Sequence, residues 1–122
     1  MDKKKAKNLA IGEEGEKEAR KYLEEKGYKV LERNYKNKYG EIDIIVEKND
    51  ELVFVEVRSK IDNDFGIPEE TVKTKKKEKL KRNALAYTTF KNYEGFYRID
   101  LVCVVFSKGE DVLRITHYEN IE

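Results

Sequence analysis

Residues 40 to 58 constrain the fold more than any other stretch. Two apolar, β-branched runs, Gly40-Glu-Ile-Asp-Ile-Ile-Val46 and Leu52-Val-Phe-Val-Glu-Val-Arg58, flank the polar knot Glu47-Lys-Asn-Asp-Glu51. That pattern predicts a β-hairpin. Asn49 and Asp50 tolerate positive φ and suit a two-residue loop. In that register Lys48 faces Glu51, Ile45 faces Phe54, Asp43 faces Glu56 and Glu41 faces Arg58. Asp43 and Glu56 then become cross-strand neighbours with Cβ atoms about 5 Å apart. Like charges so placed are destabilising, and desolvation among apolar residues adds to the cost. A divalent cation would offset it, and so would neutralisation by Arg58 and nearby lysines.

The 122 residues are the size of one domain, here taken as residues 1–122. Charged residues make up 42%, yet the net charge is only +1. Affinity for nucleic acid must therefore come from a local basic patch. The single cysteine, Cys103, has no disulfide partner in the chain, which fits a reducing, cytoplasmic setting. No apolar stretch has the length of a signal peptide or a membrane span, so no membrane association is expected. One histidine, His117, gives no Cys/His cluster for zinc.

Residues Met1 to Asn8 form a lysine-rich segment expected to be a frayed, flexible tail. A helix is predicted from Leu9 to Lys26, stopped at Gly27, with Gly12, Gly15, Ala19, Tyr22 and Leu23 facing inward. Glu16 falls on the same stripe, and its ordinary explanation is an i, i+4 pair with Arg20. Tyr28 to Tyr35 reads as a first strand, and the hairpin supplies two more. Val53, Val55 and Val57 alternate with Leu52, Phe54, Glu56 and Arg58, so both faces of the sheet need cover. Ser59 to Ile67 reads as a loop. Pro68, Glu69 and Glu70 open a second helix that runs to Thr89. Seven basic residues and one acid lie between Lys73 and Arg82. A solvated face explains most of them. Lys76 stands instead on the apolar stripe of Val72, Leu80, Ala84 and Tyr87, where a lysine can also snorkel. Strands follow at Phe96–Ser107 and Val112–His117. Asp100, inside the first of these, reads as a structural or supporting carboxylate.

The predicted class is α/β, a mixed central sheet flanked by helices in the order α-β-β-β-α-β-β. Glu16, Asp43 and Glu56 stand where burial is expected. Oxygen-only ligands favour magnesium or manganese. Such an ion can activate water and neutralise a scissile phosphate, while a basic helix holds the phosphate backbone.

Asp43, twelve intervening residues and Glu56-Val57-Arg58 resemble the Asp…(Asp/Glu)-x-Lys signature of restriction-endonuclease-like nucleases. The wider pattern includes Gly15-Glu16, Ala19, Tyr22-Leu23, Gly27-Tyr28, Asn34-Tyr35, Gly40 to Ile45, Val53 to Arg58, Gly66, Pro68, Lys76 and Arg98 to Val102. It resembles the YraN-like family of small bacterial proteins over residues 9 to 105. That resemblance implies a fold like the archaeal Holliday-junction resolvases. It implies Glu16, Asp43 and Glu56 as metal ligands, with the Val57 carbonyl as a further ligand. It also allows a homodimer, since junction-cleaving relatives cut symmetric substrates.

Arg58 stands where the signature has lysine. An arginine stays protonated and cannot act as a general base, but it can clamp phosphate or stabilise developing charge. Lys76, ahead of Lys60, is the expected source of an amine. The first reading is thus a Mg- or Mn-dependent endonuclease acting on DNA, in particular structured or branched DNA. Its catalytic residues are Asp43, Glu56, Arg58 and Lys76, and its DNA contacts are Arg58, Lys60, Lys73, Lys76, Lys77 and Lys81. The alternatives are a non-catalytic nucleic-acid-binding module of the same fold and a protein-interaction domain.

Overall fold

A computed structural model describes residues 3–62 and 73–122. The elements are α1 (Lys3–Glu25), β1 (Lys29–Asn37), β2 (Gly40–Lys48), β3 (Glu51–Ile61), α2 (Thr74–Phe90), β4 (Tyr97–Phe106) and β5 (Val112–Tyr118). This is the expected order. The five strands form one sheet in sequence order. All neighbouring pairs are antiparallel except β3 and β4, which run parallel with α2 between them in the chain.

Each helix covers one face. Ile11, Ala19 and Leu23 of α1 pack with Ile44, Val46, Val53, Val55, Val102 and Val104. Leu80, Ala84 and Tyr87 of α2 pack with Ile42, Ile45, Leu52, Phe54 and Ile99. The alternation along β3 therefore divides its side chains as expected, because successive strand residues point to opposite faces.

Local chemistry explains the boundaries. Gly27 sits at φ +92. Its N–H donates to the Glu24 carbonyl and that of Tyr28 to Leu23, at 3.0 Å each. This is the Schellman arrangement that ends a helix on glycine. Asn49 and Asp50 take φ +53 and +61, as a two-residue turn with both central residues left-handed requires.

Several boundaries differ from expectation. The first helix starts at Lys3, so the described part of the expected tail, from Lys3 onward, is helical. The third strand continues to Ile61, because Ser59, Lys60 and Ile61 pair with Val104, Val105 and Phe106 of β4. A strand with no near sequence partner gives no local sign of this pairing. The expected helix start at Pro68 to Glu70, Gly66 and the stripe residue Val72 lie outside the described residues. On α2, Lys73 and Lys81 are exposed as expected, whereas Lys77 is half-buried. Asn83 and Thr88 are buried polar residues that the apolar stripe does not reveal. Asn83 accepts a 2.6 Å bond from the side chain of Asn37, which ties α2 to the end of β1.

Candidate functional site

The acids stand where the sheet loses its regularity. Arg33 pairs with Ile44 and Tyr35 with Ile42, which sets Asn34 across from Asp43, and neither joins the ladder. Asn34 takes φ +50, a left-handed conformation that asparagine adopts more readily than most residues. The alternation along β2 slips at the same point. Ile42 and Ile45 share one core, while Ile44 and Val46 share the other. Local irregularities of this kind re-aim side chains.

The β2–β3 ladder ends there, at Ile44↔Val55. The expected ladder pairs Asp43–Glu56 and Glu41–Arg58 therefore do not form. Instead, Asp43 Oδ2 accepts the Val57 N–H at 2.8 Å. Asp43 and Glu56 remain neighbours through their side chains. Burial, a hydrogen bond with Glu56 and the Glu56 charge push the Asp43 carboxyl up to about 9. The Val57 N–H opposes this, and the charge of Glu16 adds to it.

Glu56 is only 4% exposed. Lys76 Nζ lies 3.3 Å and Arg58 Nη2 3.7 Å from its Oε2. Both are ion contacts without hydrogen-bond geometry. Oε2 accepts no hydrogen bond from any described residue, and Arg58 Nε is likewise buried without one.

Glu16 reaches the site because α1 approaches β3 closely. A Cβ on Gly15 would lie 1.7 Å from Ser59 Oγ. Only a glycine permits this contact, and it fixes the next residue at the sheet. Glu16 Oε2 accepts Asn34 Nδ2 at 3.0 Å, and the same Nδ2 reaches Glu41 Oε1 at 3.1 Å. The partner of Glu16 is thus Asn34 and not Arg20. Asn34 and Glu41 were not read as site residues in the sequence. The signal available was Asn34 itself, a left-handed-tolerant residue within the strand.

A cavity of about 320 Å³ joins Glu16, Asp43, Glu56, Arg58 and Lys60. Lys76 enters through its contact with Glu56, whereas Lys73, Lys77 and Lys81 do not line the cavity. The site therefore holds three carboxylates with two basic residues in its wall and a third against Glu56. Its all-oxygen acid set, with one buried carboxylate oxygen left without a hydrogen bond, fits a hard divalent cation.

A tighter acid group lies elsewhere. Asp100, His117 and Glu119 place donor atoms within 4.8 Å of one another, which Glu16, Asp43 and Glu56 do not. That second group already has its cation. Arg98 donates to Asp100 from Nε at 2.9 Å and Nη2 at 3.2 Å, and to Glu119 at 3.2 Å. It also contacts Glu51 and donates to Tyr28 Oη. His117 Nε2 lies 2.7 Å from Asp100, and the Asn120 N–H donates at 2.9 Å. Burial acts to raise the Asp100 pKa, but the bonds from His117, Arg98 and Asn120 outweigh it and leave it lowered. This is a saturated structural network, as expected for Asp100.

Fold and cavity together define an α/β protein with a mixed sheet and an acid-and-base cleft where a hairpin splays. The chain belongs to the uncharacterised protein family UPF0102, whose model matches residues 15–104. This bears out the YraN-like assignment. It is 38% identical over 111 residues to a UPF0102 protein of Pelotomaculum thermopropionicum, covering 90% of this chain and 92% of that one. The figures are 40% over 116 residues for Syntrophomonas wolfei, covering 93% and 97%. For Persephonella marina they are 43% over 95 residues, covering 77% and 82%.

Proposed function

We propose that the protein is a Mg- or Mn-dependent endonuclease that hydrolyses phosphodiester bonds in DNA, structured or branched DNA included. The observation that carries this reading is the cavity that gathers Glu16, Asp43 and Glu56 beside Arg58 and Lys60, with Lys76 at Glu56. Asp43 and Glu56 would hold the ion. Glu16, whose carboxylate does not converge with theirs, would act through water. Such an ion lowers the pKa of a bound water and neutralises phosphate charge.

The chain's own residues supply the rest. The Val57 N–H orients Asp43, and Asn34 orients Glu16. Arg58 presents a planar donor set to a phosphate oxygen. Lys76 supplies a mobile positive charge near the scissile phosphate, where charge develops in the transition state. Lys60, Lys73, Lys77 and Lys81 hold the flanking backbone.

One observation favours a second reading. Lys76 and Arg58 both contact Glu56, so the acids have partners without an ion. The protein would then be a non-catalytic nucleic-acid-binding module. A metal titration with a cleavage assay across linear, nicked and branched DNA separates the two. Cleavage that needs metal, and that is lost in Glu56→Gln, supports the nuclease. DNA binding without cleavage under either metal selects the module.

A further inference from the structure

Helix α1 borders the cavity through Ile11, Gly12 and Glu16. Among the helix residues whose burial is described, Ile11 is the first buried one, and Ile11 and Gly12 line the cavity wall. Lys3, Ala6, Lys7, Leu9 and Ala10 are all exposed. Yet Lys7 and Lys3 continue the i, i+4 row of Ile11, Gly15, Ala19 and Leu23, four residues that are buried against the body. The row that packs onto protein below thus carries lysines where it passes the body's edge. Neighbours on such a row share a helix face.

The charge is also of the wrong sign for the helix. No acid stands in the first turn of α1, and a helix N-terminus disfavours cations. The start of α2 has the same construction, with Lys73 at the cap, no side-chain cap bond and no acid in the first turn. Its Lys76 reaches Glu56. The two helices lie on opposite faces of the sheet. Two lysine-loaded helix starts therefore flank one cavity from opposite sides, and a polyanion between them would relieve both.

Resting on the nuclease reading, we propose that Lys3 and Lys7 form a second backbone-binding arm, so that DNA is held from both faces of the sheet. The arm reaches about 13 Å beyond Gly12 at the helical rise. That is about four base steps of duplex DNA. The substrate is therefore a DNA that extends at least this far past the cleaved phosphate.

The test measures binding of a labelled duplex against salt for the full-length wild type and for Lys3→Gln with Lys7→Gln. The double variant should show a shallower slope of log K against log salt, by about one to two units. Its melting temperature should equal or slightly exceed that of wild type, because the lost charges disfavour a helix start, and Lys3→Arg with Lys7→Arg should restore the slope. In a length series of duplexes, the difference between the two proteins should vanish for the shortest. Unchanged slopes, with wild type still binding and cleaving, would overturn the arm and leave the site reading intact. A wild type that binds no DNA at low salt would overturn both.

Discussion

The Asp43 carboxylate accepts the backbone N–H of Val57 at 2.8 Å, so a side chain of β2 bonds the backbone of β3 just beyond their last ladder pair. This bond holds Asp43 beside Glu56 even though the strands have parted.

The arrangement sets a pH dependence. The folded-state pKa of Asp43 is raised above its unfolded value, so the folded state keeps a proton that the unfolded chain gives up. Its stabilising share is present below the ordinary aspartate value of 3.8 and is lost as pH rises toward about 9. Metal-free melts should therefore weaken with rising pH across that window. Asp43→Asn keeps an acceptor for Val57 and removes the group that must hold a proton to fold at neutral pH. It should gain about 1 kcal/mol or more there and flatten the profile. Magnesium or manganese should stabilise wild type by about 2.7 kcal/mol at a hundred times its Kd, and Asp43→Asn should lose that response. Thermal melts with and without ion check all three outcomes.

Lys76 and Arg58 separate chemistry from binding. Lys76→Ala should lower the single-turnover cleavage rate by about 10²-fold, the scale of losing one charge-stabilising group. DNA affinity should fall far less, since one phosphate contact among several is a small share. Arg58→Lys should retain activity if the position needs only positive charge, and should lose it if the flat guanidinium grips phosphate in two places. Cleavage by Lys76→Ala at the wild-type rate would remove Lys76 from the mechanism.

Two glycines of α1 should respond with opposite sign. A methyl on Gly15 would strike Ser59 at Oγ and, at 2.8 Å, at Cβ. Gly15→Ala should cost about 1–3 kcal/mol, the usual range for overpacking. Gly12 has nothing within 4 Å of such a methyl. Gly12→Ala should gain up to about 1 kcal/mol from helix propensity. Because Gly12 lines the cavity, the same change should weaken DNA binding. Urea unfolding and anisotropy measure the pair.

Asp100 should behave in the reverse sense to Asp43 on the acid side. Its folded pKa is lowered, so its stabilising share is present above the ordinary aspartate value of 3.8 and is lost as pH falls through the lower folded value. Asp100→Asn leaves Arg98 short of its buried counter-charge and should cost about 3 kcal/mol. It should also remove that part of the acid transition. Chemical denaturation at neutral and acid pH reads both effects.

The hairpin register and its turn were legible because Asn49-Asp50 and the flanking β-branched runs are local signals. The Gly27 stop was legible for the same reason. The meeting of Asp43 and Glu56 was also read, but not its geometry. The ladder ends where Asn34, on a different strand, stands opposite Asp43. No short window of sequence contains that relation. Asn34 and Glu41 looked like ordinary surface residues for the same reason, and their place emerges only when β1, β2 and α1 converge. The helix start at Lys3 was missed because a charged chain end reads as frayed, although its lysines and alanine are good helix formers. The inward placement of Lys76, against Glu56, was legible because a charge on an apolar stripe conflicts with its surroundings, and such a conflict shows in one dimension.

The network around Asp100 also bears on how the sheet is locked. Asp100 is 0% exposed and lies on β4, beside β3 across a parallel pairing. Two of its partners, His117 and the Asn120 N–H, come from 17 and 20 residues further along the chain. Without them the buried carboxylate is served by Arg98 alone. A chain cut before Asn120 would therefore have the sheet's order without its full lock.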